Sequence, residues 1–342
     1  MITWRNDMKC KRTVLPLLGT AFEPGRLADT LNEFEDEELA EIAQAEAYFF
    51  SAQAEACVKI VEKYLNSEDV ILRMSADMLY TFANLTLGDA MAAQMAREDV
   101  HICLKKALED ENDLETQASC LFALYVISVL IHIPPEKEMP LLSDYLRYLP
   151  EGQRLFAMNL LAHGAYLNQE YAKGQGMAQT AMMMAEKMYP IPFIYLNCVN
   201  AMCQINQKDQ EGARESVIRA WEIARQDKLL EPFIEHHGLL QGVLEVWVKQ
   251  REPYVYKKMM DGVIAFSRGW MKIHNPEMQK AVTDLLTPVE FSIAMLACRD
   301  WTNQEIAEHM GLSVNTVKHY VSTILEKLQI DKRDKIKEFV NQ

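Results

Sequence analysis

Apolar residues recur three and four positions apart along most of this chain, and no sustained run alternates apolar with polar. Ile42, Ala45, Phe49, Ala52, Ala56, Ile60 and Tyr64 trace one such face and read as a single helix. That period marks amphipathic helices, and the missing period of two excludes an extensive sheet. Turn signals interrupt the pattern at Asn66-Ser67, Gly88-Asp89, Glu111-Asn112-Asp113, Pro134-Pro135, Pro150-Glu151-Gly152, Tyr189-Pro190-Ile191-Pro192, Lys208-Asp209, Glu231-Pro232 and Glu252-Pro253. The segments between them have helix length, and Asp89 and Asp113 stand where N-caps belong. The scarcity of glycine, 13 in 342 residues, agrees, because glycine weakens a helix interior. An all-α chain is expected.

Helices joined by short turns form either a bundle or a stacked array. Leu161-Ala162, Tyr171, Gly174, Ala178 and Ala181 place small and aromatic residues in a tetratricopeptide-like order, and Ala201, Ala213, Val217 and Ala220 repeat part of it 39 residues later. The usual period of that repeat is about 34. Residues 36–270 are therefore expected to form a TPR-like helical array that senses or interacts. Residues 1–35, with Pro16, Gly19, Pro24 and Gly25, read as an irregular arm. The polar text after Trp270 reads as a linker over 271–284, followed by a compact domain over 285–342.

Lys and Arg number 35 against 49 Asp and Glu, a formal charge of −14. Such a chain is a poor general polyanion binder, so any nucleic-acid contact needs a local basic face. The seven cysteines, Cys10, Cys57, Cys103, Cys120, Cys198, Cys203 and Cys298, contain no C-x-x-C and suit reduced, buried thiols. The longest apolar stretch, Cys120 to Ile133, is too short to span a bilayer and reads as a core helix. Val14 to Leu18 is too short for a secretory signal. A cytoplasmic protein without membrane association is expected.

The last segment carries the most specific signal. Thr287-Pro288-Val289-Glu290 and Thr302-Asn303-Gln304-Glu305 are capping boxes that each open a helix. Gly311 supplies a positive φ for a tight turn, and Ser313 caps a third helix over 314–328 whose inner side is Val317, Val321, Ile324 and Leu328. Ala307, Gly311 and Val317 meet the helix-turn-helix requirement: a small residue where two helices cross, a glycine turn, and an apolar plug in the angle. Residues 284–310 hold one base and five acids, whereas residues 311–337 hold six bases and three acids.

Leu286-Thr287-Pro288-x-Glu290, Thr302-Asn303-x-Glu305-Ile306-Ala307, Ser313-x-x-Thr316-Val317-Lys318 and Ile324-x-x-Lys327-Leu328 resemble the LuxR/GerE-type DNA-binding domain. Val289 stands where that family usually has a basic residue, and Asp300 where it usually has glycine; an aspartate tolerates the left-handed conformation. The resemblance implies a four-helix domain whose third helix enters the major groove. Asn315, Lys318, His319 and Ser322 would then face base edges, and Ser313, Thr316 and Tyr320 phosphates. Lys327, Lys332 and Arg333 add positive charge. The resemblance also implies a fourth, dimerising helix, with Asp331 as its cap and Ile336, Phe339 and Val340 as its apolar stripe. A homodimer on double-stranded DNA is expected, because one domain offers few phosphate contacts.

Family members join this domain to a regulatory module. The strand–helix alternation of a receiver and the G-x-x-x-x-G-K-[ST] loop of an ATPase are both missing from the sequence. The layout is loosely similar to the last two parts of the large maltose-regulator-like members. The helical domain is expected to receive a small-molecule inducer or a protein signal. Neither a cofactor nor a metal site is expected. Glu235-His236-His237 is not a metal motif, since adjacent histidines diverge by about 100° on a helix, and it reads as buried or capping. Met177, Met182, Met183, Met184 and Met188 read as packing, and Cys198 and Cys203 as free core thiols. The acidic run Glu33 to Glu41 reads as a solvated helix start, or else as a mask for the basic face. A sequence-specific regulator is the principal reading and an interaction scaffold with a non-binding C-terminal domain the alternative. An enzyme is not expected: no nucleophile–base pair supports one.

Overall fold

The computed structural model describes residues 12–109, 113–133, 139–240, 242–274 and 286–336. Among them there are α-helices and short 3-10 turns but no strand. The first half comprises α1 (Leu27–Leu31), α2 (Glu37–Phe50), α3 (Ala54–Val61), α4 (Val70–Leu87), α5 (Ala90–Ala107), α6 (Leu114–Leu130), α7 (Leu142–Tyr145) and α8 (Glu151–Leu167). Then follow α9 (Tyr171–Met184), α10 (Pro190–Asn206), α11 (Gln210–Asp227), α12 (Glu231–Leu240), α13 (Val243–Arg251) and α14 (Pro253–His274). The last three are α15 (Pro288–Cys298), α16 (Asn303–Met310) and α17 (Val314–Leu328). No helix among the described residues is long and apolar enough to cross a membrane.

Aspartate starts many of these helices. Asp36, Asp69, Asp89, Asp113 and Asp209 each accept a backbone N–H from the first turn that follows, which satisfies donors that a helix leaves unpaired. The single helix expected across Ile42 to Tyr64 is two helices. Ala52 adopts φ 56°, and Gln53 N–H closes back on the Tyr48 carbonyl at 2.9 Å. The break also shifts the buried face by one position, so α3 buries Cys57 and Val61 where the spacing expected Ala56 and Ile60.

From α2 to α11 each helix packs on its neighbours in sequence, with the short α7 set against α6. The chain then returns: α14 lies along α4 and α5, and α12 touches both α10 and α2. Gly269 in α14 meets the Leu85 carbonyl of α4, a spot with no room for a side chain. A tetratricopeptide solenoid has contacts only between neighbouring repeats, so this closed array is a set of helical hairpins, not a demonstrated repeat. The echo spaced by 39 residues marks helix crossings. Gly174 sits against the Ala162 carbonyl and Cys203, and Ala213, Val217 and Ala220 are buried.

The described part of the expected irregular arm, from residue 12, contributes to the core. Val14, Leu15, Leu17 and Leu18 are buried, and the Glu46 carboxyl accepts the N–H groups of Leu17 at 2.8 Å and Leu18 at 2.9 Å. Arg12 joins Asp36, Glu38 and Asp69 at 2.7–2.9 Å, and Glu41 accepts from Tyr64 at 2.8 Å and pairs with Lys63. Asp36, Glu38 and Glu41 therefore pair within their own end of the array, while Glu33, Glu35 and Glu37 of the same run are exposed. Met183 and Met184, expected to pack, are 86 % and 76 % exposed. The buried stripe of α9 is Gly174, Ala178 and Ala181, which leaves both methionines outside. The six described cysteines are free and buried.

Candidate nucleic-acid interface

Local chemistry builds α15, α16 and α17 as the spacing predicts. Both capping boxes are complete: Thr287 N–H donates to Glu290 at 2.6 Å and Thr302 N–H to Glu305 at 2.7 Å, with the reciprocal bonds to each threonine hydroxyl. Between these helices Asp300 takes φ 61°, in the turn where its family counterpart is glycine. Gly311 takes φ 64°, and Leu312 N–H then reaches the Ala307 carbonyl at 2.9 Å. Ser313 accepts Thr316 N–H at 3.1 Å and shares a 2.8 Å bond with the Thr316 hydroxyl. Ala307 and Val317 are buried where α16 crosses α17.

The two sides of α17 differ. Val317, Val321, Ile324 and Leu328 are buried. Asn315, Lys318, His319 and Ser322 are exposed, whereas Thr316 and Tyr320 are half-buried. Asn315, Lys318, Ser322 and half-buried Tyr320 stay clear of ion pairs among the described residues, and Ser322 bonds back to the Lys318 carbonyl at 3.1 Å.

Four of the expected residues serve the domain's own structure instead. Lys327 donates to both carboxylate oxygens of Glu290 at 2.8 and 2.7 Å, tying α17 to α15. Burial pushes the Glu290 carboxyl up, but Lys327 and the Thr287 N–H outweigh it and hold the group below its ordinary range. Arg333 donates to the Asn303 side chain at 2.7 Å and to the Trp301 carbonyl. Lys327 and Arg333 are thus internal struts here, not free charges, while Lys332 stays exposed. Ile336 is fully buried within the chain, so it belongs to the domain's own core and not to a dimer surface. Asp331 pairs with Lys335 at 2.6 Å instead of capping a helix, and a 3-10 turn spans Arg333–Lys335. Phe339 and Val340 lie outside the described residues, as does the linker beyond 274.

Sequence reasoning missed how the domain docks. α15 packs on α12 and α16 on α13. Phe291 covers Gly238, and Met310 covers Gly242, which takes φ 89°. Lys208 pairs with Glu305 at 2.6 Å and lies 6.0 Å from the Trp301 ring centre; with the Thr302 N–H it holds the Glu305 carboxylate down at about 2. Arg299 donates to the Tyr166 hydroxyl. Glycines 238 and 242 were the available signal, because each leaves space for a large side chain from another element. The docked faces are on α15 and α16, and the side of α17 that carries Asn315, Lys318, His319 and Ser322 stays exposed.

Residues 284–339 match the family model described as bacterial regulatory proteins, LuxR family. The chain is 38 % identical over 64 residues to the response regulator protein VraR of Staphylococcus saprophyticus, covering 18 % of this chain and 31 % of that protein. It is 34 % identical over 86 residues to the response regulator protein VraR of Staphylococcus aureus, covering 22 % of this chain and 41 % of that one. The chain therefore spans less than half the length of these curated relatives. No solved structure matches the chain. With two complete capping boxes, a left-handed Gly311 and a third helix buried on one side only, residues 284–339 are a LuxR-family helix-turn-helix domain.

Proposed function

We propose that the protein is a transcriptional regulator that reads a specific DNA sequence with α17 in the major groove, while the helical array receives the controlling signal. The observation that carries this reading is the exposed row Asn315, Lys318, His319 and Ser322 on a helix whose opposite side is buried. Lys318 has the length and charge to donate to guanine O6 and N7, and Asn315 suits an adenine edge. Ser313 satisfies one first-turn N–H, and the others favour a phosphate. The relatives' printed role as response regulators agrees with transcriptional control.

Lys332 is the remaining exposed base beyond α17 that this reading assigns to the backbone. So few charges give modest affinity for a single domain, so two copies on a two-half-site operator are expected. The test is selection of bound genomic fragments, followed by fluorescence anisotropy on the best fragment. Lys318→Ala is expected to cost about 1–3 kcal/mol of specific binding and to relax the preference at one base pair. Equal binding to any duplex would remove sequence reading. A salt slope near zero would instead favour an interaction scaffold, because no counterions would be released.

A further inference from the structure

The centre of the array holds a cluster of polar and aromatic side chains in which several buried polar atoms have no hydrogen-bond partner. Phe156 and Tyr195 have ring centres 4.8 Å apart, Tyr195 and His236 5.5 Å, and His236 and His163 5.5 Å. The chain of rings thus runs from α8 through α10 and α12 back to α8. Asn159 stands three residues after Phe156 and four before His163, so it shares their side of α8 and looks into the enclosure. Asn159 and His163 are 0 % and 1 % exposed. Neither amide atom of Asn159 and neither ring nitrogen of His163 has a partner. Buried polar groups are nearly always paired, and leaving one unpaired costs free energy.

Acids complete the enclosure. Glu231 and Glu235 are one turn apart on α12, and one oxygen of each, Oε1, also has no partner. Tyr195 donates to the other Glu235 oxygen at 2.6 Å. His236 Nδ1–H donates to the Pro232 carbonyl at 2.8 Å, which fixes its tautomer. Elsewhere in the described chain Asp77 and Glu245 also leave one oxygen unpartnered, but Glu245 has His237 at 2.7 Å, Glu46 has two N–H groups and Glu290 has Lys327. Among the described residues no lysine or arginine pairs with Glu231 or Glu235. Burial pushes Glu235 up to about 8, and burial with Glu235 alongside raises Glu231.

From this enclosure we infer that the array binds a small organic cation, an amine or ammonium carrying a second polar group, with its charge at Glu231 and Glu235 and its polar group at Asn159 and His163. Carboxylates offset the charge, and the aromatic surroundings of Tyr195 and Phe156 suit an organic cation better than a strongly hydrated ion. A single metal ion fits less well. Among the described residues the histidine, cysteine and acid groups that converge within ligand reach are Asp77, Asp99 and Cys103, elsewhere in the array, and Arg73 already holds Asp99 there at 2.6 Å. The location also suits a signal: α12, which carries Glu231, Glu235 and His236, is the helix whose Gly238 receives Phe291 of the DNA-binding domain. The signalling role rests on the regulator reading; the binding site does not.

The test uses the full chain with ethanolamine, choline and 1,4-diaminobutane as probes, and propionate and glycerol as anionic and neutral controls. At least one cation is expected to raise Tm by about 3 °C or more at millimolar concentration, and neither control to do so. Glu231→Gln and Glu235→Gln should abolish that rise. Calorimetry in two buffers of different ionisation enthalpy should show protons released on binding, as the carboxyls ionise opposite the cation. If no cation raises Tm, or if the rise persists in both variants, the proposal falls. Should either variant fail to fold by circular dichroism, Asn159→Leu decides. Removing a buried unpaired amide should leave the free chain as stable or more so and weaken cation binding; a loss of stability would show a structural amide and overturn the site. None of these readouts involves DNA, so failure of sequence reading is separately visible.

Discussion

At the scale of single residues, Gly311 shows how backbone conformation alone can fix identity. A Cβ added there meets nothing within 4 Å, yet the residue sits at φ 64°. Gly311→Ala is therefore expected to cost about 1 kcal/mol through strain without any clash, measured as a shift in the chemical-denaturation midpoint of the full chain. Asp300 bears the same strain by a different route, since its short side chain tolerates the left-handed region at φ 61°. These positions were legible because cap and turn residues act locally. Thr287, Thr302, Gly311 and Ser313 need only their own neighbours. Lys327 and Ile336 were misread because a basic or apolar residue carries no label for its partner; the side chain that claims Lys327 lies 37 positions earlier.

At the scale of elements, the Lys327–Glu290 pair joins α17 to α15, and its loss should loosen α17 before it unfolds the domain. The Glu290 side chain is nearly buried, but Lys327 is about a third exposed, so solvent screening weakens the pair. Glu290→Gln, which also weakens the α15 cap, is expected to cost about 1–2 kcal/mol. Hydrogen exchange in α17 should rise more than in α16. The apolar period located helices well and their ends less well. The Ile42–Tyr64 run failed at Ala52 because a second apolar stripe, one position out of step in Cys57 and Val61, lies beside the expected one, so the spacing alone does not register the break. Helix pairing beyond neighbours, such as α14 on α4, left no local mark at all, since the Gly269–Leu85 contact spans much of the array.

At the scale of the molecule, buried ionisable groups set the response to pH. The Glu46 carboxyl is raised from 4.5 to about 8 by burial, only partly offset by its two N–H donors. Between those values the folded chain keeps a proton that the unfolded chain has released, so this contribution is present below pH 4.5 and is lost as pH rises through 8. His236 is lowered from 6.5 to about 4 by burial, so its neutral form supports folding above pH 6.5 and that support is lost as pH falls to 4. The two oppose each other below pH 6.5. Above it only the acid contribution changes, at about 1 kcal/mol per pH unit for each such group. Tm is expected to fall from pH 6.5 to 8.5, and Glu46→Gln to flatten that slope in a melting series.

Docking of the two parts has its own test. Gly242→Leu places a branched side chain where Met310 sits, and is expected to lengthen a fluorescence-transfer distance between α13 and α16 while leaving each part's helicity intact. An unchanged distance would show that Phe291 and Lys208 hold the joint without Met310. The outward stance of α17 has a plain consequence for control. Nothing in the described chain covers the exposed side of that helix, so on the proposed reading a signal passed through α12 would have no cover to lift; it would turn the blade, altering aim where other switches alter access.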